Sequence, residues 1–201
     1  INDIDWKYNQ INYPSGIKGR LLGKLKNVNY EAKNTSIYKS DTTNELFGAV
    51  GFLAEINLFK KMRDNATHLF TPKMLFRYAP GQMRKETENT RLNHSNVFKL
   101  DRLNTNKNFE NGLSATLGFD YEINNSDNKL DFSIAQIINE KENQNMPSSS
   151  SLNQRFSDVI GHSELEINDN ISLNYDFALD QNYKSLNYNE LSANFDFNSI
   201  K

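Results

Sequence analysis

Residues 113–123 read Leu113-Ser114-Ala115-Thr116-Leu117-Gly118-Phe119-Asp120-Tyr121-Glu122-Ile123. Every second side chain from Leu113 to Ile123 is apolar. Those between them are Ser, Thr, Gly, Asp and Glu. A period of two places the two sets on opposite faces of a β-strand. The stretch stops at Asn124-Asn125-Ser126-Asp127-Asn128, a cluster of turn formers. The same alternation returns in Ile171, Leu173, Tyr175, Phe177 and Leu179, and again in Leu191, Ala193, Phe195 and Phe197.

Working outward, further strands are predicted over Ile1–Lys7, Ile17–Ala32, Leu46–Leu58, Phe70–Tyr78, Leu130–Ile138, Val159–Ile167 and Leu186–Asn198. Parity slips within Ile17–Ala32: Leu21 and Leu25 share one face, Val28, Tyr30 and Ala32 the other. A bulge near Lys26-Asn27 would reconcile them. Connections alternate in length. They are short at Asn12–Gly16, Lys60–Ala66, Asn124–Asn128 and Asn168–Asn170, and long at Lys33–Asn44, Ala79–Asn111 and Asn139–Phe156. About nine strands, no convincing helix and this alternation of turns are how outer-membrane barrels are built. The expected fold is therefore all-β, an antiparallel up-and-down meander forming part of a transmembrane barrel wall. Residues 1–201 would be one partial barrel domain, an internal fragment lacking both ends of its parent, with the export signal upstream.

Parity divides the candidate site residues into two sets. Val50, Phe52, Phe76, Leu117, Phe119, Leu173, Tyr175 and Phe195 are expected to face lipid. Glu55, Asp120, Glu122, Asp158, Glu164, Glu166, Asp176 and Asp196 are expected to line a polar lumen. Thr116, beside Leu117, is expected to point into water.

Composition bounds the function. Hydrophobic residues make up 37 % of the 201 and mean hydropathy is -0.73, low for an ordinary core. Aromatics at 11 % are too many for a disordered chain and suit strands and interfacial girdles. A net charge of -2 leaves no basic footprint, so no nucleic-acid partner is expected. Cysteine is absent, which removes disulfides and thiolate metal sites. His68, His94 and His162 are far apart in sequence and read as solvated polar positions. The carboxylates Asp120 and Glu122, or Glu164 and Glu166, could in principle do acid–base work, but on a strand face they read more simply as lumen groups. Gly48-Ala49-Val50-Gly51 lacks the Lys-Ser/Thr of a phosphate loop. No catalytic residue, metal site or cofactor is expected.

Three segments stand in a telling order: Phe70-Thr71-Pro72-Lys73-Met74-Leu75-Phe76-Arg77-Tyr78-Ala79-Pro80, then Asn96-Val97-Phe98-Lys99-Leu100-Asp101-Arg102-Leu103, then Phe132-Ser133-Ile134-Ala135-Gln136-Ile137-Ile138 followed by Ser157-Asp158-Val159-Ile160-Gly161. Together they resemble the barrel domain of the LPS-assembly protein family LptD, also called organic-solvent-tolerance proteins. The resemblance runs from about Leu46 to Phe197. The chain departs from it at Asp101-Arg102-Leu103-Asn104-Thr105-Asn106, where the family's glycine and second arginine are missing. The resemblance implies a non-enzymatic barrel segment of the lipopolysaccharide translocon in the outer membrane of a Gram-negative bacterium. It further implies insertion of lipopolysaccharide into the outer leaflet, with the plug lipoprotein LptE, the periplasmic bridge protein LptA and outer-membrane lipid as partners. The residue pattern alone also leaves open another outer-membrane barrel, such as a porin or receptor, or a soluble β-rich binding module.

Overall fold

Alternating residues form strands, and among the described residues eleven strands join one antiparallel sheet. The computed structural model describes residues 1–33, 41–63, 66–103, 105, 107–125, 128–168 and 170–196. The strands are β1 (Asn2–Lys7), β2 (Ile11–Asn12), β3 (Ile17–Tyr30), β4 (Thr43–Ile56), β5 (Leu58–Lys61), β6 (Thr67–Ala79), β7 (Gly112–Asn124), β8 (Lys129–Asn139), β9 (Val159–Asn168), β10 (Ile171–Leu179) and β11 (Leu186–Phe195). Nine of them run in the order β1-β3-β4-β6-β7-β8-β9-β10-β11; the short β2 lies on β3 and the short β5 on β6. Apart from the short β2 and β5, each strand therefore pairs with its neighbour in sequence, as a meander requires. Phe197 and Asn198, which the sequence pattern adds to the last strand, lie outside the described residues. So do Ser126 and Asp127 of one turn and Asp169 of another.

Two breaks in regularity have local causes. Glu55 faces Lys73 and Leu58 faces Phe70, so the ladder to β6 breaks over Thr71-Pro72, where β4 ends at Ile56. Proline has no N–H to give that ladder, and the strand is interrupted there. At the turn into β3, Gly16 takes φ +85, its N–H donates to the Tyr13 carbonyl at 3.0 Å, and the chain reverses.

The bulge expected near Lys26-Asn27 is not found. β3 pairs with β4 in unbroken register from Ile17↔Ile56 to Tyr30↔Thr43. Parity slips for a different reason: Lys26 and Val28 both lie on the face covered by a loop, and both are buried. An apolar residue is at home on either side there.

Register carries the two faces across the whole sheet. Leu21 faces Phe52, Phe52 faces Phe76, and Phe76 faces Ala115. Further along, Phe119 faces Ile134, Ile134 faces Gly161, and Gly161 faces Phe177. This first face carries most of the large exposed apolar side chains, among them Trp6, Leu25, Val50, Phe76, Tyr78, Leu117, Leu191 and Phe195. Trp6 lies over Gly23, where an added Cβ would stand 1.9 Å from the indole; Phe177 lies over Gly161 in the same way. The second face is covered over its middle strands. Residues 140–158 and the described residues of 80–111 fold back onto it and bury two apolar clusters. One gathers Met83, Leu92, Val97, Leu103, Met146 and Leu152 over Ala135, Ile137, Ile160 and Ala178. The other sets Leu100 and Phe109 over Ala49, Leu75 and Ala79. Thr116, expected to meet water, is 1 % exposed, and its hydroxyl donates to the Val97 carbonyl at 3.3 Å. The covering layer above it is the 80–111 loop, which strand parity does not report.

Gly118 sits where β7 and β8 approach closely. A Cβ there would come within 2.3 Å of the Ile134 carbonyl oxygen, which is backbone and cannot swing aside. Gly118→Val should destabilise the sheet by roughly 1–3 kcal/mol, as overpacking does. Heat-modifiable migration on gels should show the loss as a lower unfolding temperature.

Candidate functional site: a loop docked on the polar face

The 80–111 loop is too apolar to stand in water and too long to be a mere connection. Leu92, Val97, Leu100, Leu103 and Phe109 are all buried in it. Burying a loop also buries its backbone and charged side chains, and those must find partners. Strand β6 supplies Arg77, which is 1 % exposed. Its Nε donates to the Leu100 carbonyl at 2.7 Å and its Nη2 to the Glu110 carbonyl. Within the loop, Arg102 meets Glu110 in a two-pronged pair. Nε donates to Oε2 at 2.7 Å, Nη2 donates to Oε1, and Nη2 reaches Ser114 of β7 at 3.1 Å. Arg102 is fully buried and Glu110 is 3 % exposed.

Strand β3 contributes a third anchor. The Lys26 ammonium donates to Asp101 at 2.5 Å and to the Thr105 carbonyl at 3.2 Å. Lys26 and Arg77 both lie 5.6 Å from the centre of the Phe109 ring, which stacks on Phe47 of β4. The cations thus rest on an aromatic face as well as on oxygen. The second loop is tied to the first. The Glu86 N–H donates to the Asn145 carbonyl at 2.7 Å, and Asn145 returns a bond to the Met83 carbonyl at 3.2 Å. Ser157 closes it onto β8, its N–H reaching the Ile137 carbonyl at 2.9 Å.

Of the carboxylates expected on the polar face, Glu55, Asp120, Glu122, Glu164, Glu166 and Asp176 fall on the loop-covered side of the sheet by register, Asp158 and Asp196 lie just beyond β9 and β11, and the set does not converge. Glu55 lies opposite Lys18 and Lys73. Asp120 is ion-paired with Lys73. Glu122 and Glu164 both lie opposite Asp131, and Glu166 opposite Lys129. Asp158, 8 % exposed, accepts from Asn187 at 3.0 Å; burial raises its pKa above the usual range against that hydrogen bond. Asp196 follows β11, its N–H on the Asn170 carbonyl. Asp176 meets two histidines, His94 and His162, which sequence separation had kept apart. Val50, Phe52, Phe76, Leu117, Phe119, Leu173, Tyr175 and Phe195 share the opposite face. Sequence reasoning missed Arg102, Glu110, Lys26 and Asp101 as an anchoring set. The available signal was Val97, Phe98, Leu100, Leu103 and Phe109 within one long connection.

Among the described residues this set holds a loop against a sheet. The pattern also has a counterpart outside this chain. A family model described as LPS transport system D matches residues 20–200. No curated protein matches the chain.

The anchor should respond to mutation and to acid. Arg102→Ala leaves Glu110 buried without its counter-charge and should cost about 3–5 kcal/mol of loop docking. Burial pushes the Glu110 carboxyl up, but Arg102 and then Arg77 outweigh it and leave it below its ordinary value. Such a group favours docking above the pKa of the released loop, ~4.3, and loses that contribution as pH falls through the docked value. Asp101 runs the other way: burial raises it despite Lys26, so its contribution declines as pH rises through the docked value. Limited proteolysis within 80–111 should therefore speed up below about pH 4. In Glu110→Gln that acid dependence should flatten.

Proposed function

The chain belongs to the LPS transport system D family, and from that premise we propose that its sheet is wall of an outer-membrane barrel that inserts lipopolysaccharide into the outer leaflet. The family is an outer-membrane component of lipopolysaccharide transport and assembly in Gram-negative bacteria. One observation carries the finer reading. A single antiparallel sheet exposes large apolar side chains on one face, with Val50 at 52 %, Phe76 at 48 % and Phe195 at 57 % exposed, while loops cover the middle of the other. A soluble sandwich would set a second sheet on that apolar face. A membrane wall sets lipid there.

Lengths favour the same reading. From β3 to β11 the strands along the main path have 9 to 14 residues. At ~3.3 Å per residue and a tilt of ~40°, nine residues rise about 23 Å, close to the height of an apolar band. Val50, Phe52, Phe76, Leu117, Phe119, Leu173, Tyr175 and Phe195 would then meet lipid. Glu55, Asp120, Glu122, Asp158, Glu164, Glu166, Asp176 and Asp196 would face the lumen beside the docked loops. The short turns would stand at the periplasmic rim, and the long loops would enter the lumen from the outer rim. The plug lipoprotein LptE and the bridge protein LptA are proposed partners on the ground of family alone.

Leu117 lies mid-strand in β7 and is 46 % exposed. Leu117→Arg should destabilise the barrel by roughly 2–4 kcal/mol if lipid covers it. Thr116 is a poor control, since it is buried under the loop. Asn174 is better: it lies mid-strand in β10 on the other face, opposite Glu164. Asn174→Arg should be nearly neutral. Folded protein in the outer membrane and sensitivity to large hydrophobic antibiotics measure both. Equal tolerance of the two would overturn the lipid-facing assignment.

A further inference from the structure

His94, His162 and Asp176 come from three places in the chain: the 80–111 loop, β9 and β10. Each histidine Nδ1 lies 3.0 Å from the same oxygen, Asp176 Oδ1. The imidazoles stack with centroids 3.9 Å apart and planes 22° from parallel. All three donor atoms fall within 4.8 Å of one another. Register brings His162 and Asp176 together, because they are direct cross-strand partners. His94 arrives from above.

The turn that delivers His94 is held on both sides. Asn93 N–H donates to the Asn96 side-chain oxygen at 2.9 Å, and Asn96 N–H donates back to the Asn93 side chain at 3.2 Å. The Asn96 amide also reaches the Arg91 carbonyl at 3.0 Å, and Val97 beside it is buried. His94 is thus presented from a fixed turn rather than a loose one.

We propose that His94, His162 and Asp176 form a binding site for a divalent transition-metal ion of the zinc class, which latches the 80–111 loop to β9 and β10. Two neutral imidazole nitrogens and one carboxylate oxygen are donors that zinc, nickel and copper prefer. A tetrahedral ion with ligand bonds of ~2.0–2.1 Å sets its donor atoms ~3.3 Å apart. The two histidine-to-aspartate separations need to open by only a few tenths of an ångström to admit it. His94 and Asp176 side chains are 42 % and 29 % exposed, so an ion can enter from solvent and keep water in its remaining position. Coordination would cross-link a loop that the Arg102–Glu110 pair and Lys26 otherwise hold from its far end.

The test uses the intact protein in detergent at neutral pH, freed of metal with chelator, and titrated with zinc chloride and with cobalt chloride. One equivalent of zinc should bind at micromolar concentration or tighter, and cobalt should give visible absorption of a four-coordinate nitrogen–oxygen site. His94→Ala, which changes an exposed loop residue, should weaken zinc at least about tenfold, and Asp176→Asn should do the same. His68→Ala, whose ring bonds Tyr121 at 2.7 Å, should bind as the parent does. Zinc should also slow proteolysis within 80–111 in the parent and not in His94→Ala. Equal zinc binding by the parent and His94→Ala, or none by either, would leave only two hydrogen bonds to a shared carboxylate and overturn the site.

Discussion

A guanidinium cannot be buried alone, and three cations are buried or nearly so beneath one loop. Arg77 and Lys26 rise from the sheet, Arg102 descends from the loop, and between them they meet Glu110, Asp101 and three backbone carbonyls. Either partner without the other would leave an unpaired charge out of water, a penalty of several kcal/mol. The sheet and the loop are therefore one unit. The apolar clusters above Ala135 and Leu75 form only because the loop is down. Thr116, Lys26 and Val28 are buried for the same reason.

That dependence explains what the sequence disclosed and what it concealed. Strand character is a local property: each side chain's face follows from its parity, so Leu113–Ile123 and Ile171–Leu179 could be read residue by residue. Their pairing followed from short turns. The polarity of each face could be read as well, because Glu122, Glu164 and Asp176 alternate with Tyr121, Leu165 and Tyr175.

Where the loops lie is a non-local property. Arg102 and Glu110 are eight residues apart in a stretch without periodicity, and nothing in that spacing fixes a buried pair. The apparent bulge at Lys26-Asn27 came from the same omission: with the loop missing, a buried valine looked misplaced. The histidines show the point most plainly. His94 and Asp176 are 82 positions apart, and only a docked loop joins them. The one available cue was compositional, five large apolar side chains in a segment without strand periodicity. Family resemblance pointed at that same segment without saying what it does.

The chain contains a single tryptophan, Trp6, laid flat over Gly23 on the uncovered face. Its ring takes the room that a side chain at position 23 would occupy, so it is fixed by the sheet yet still 44 % exposed. An indole's emission colour follows the polarity around it. The protein thus carries its own optical probe of whatever lies against that face, free of interference from the loops on the other side.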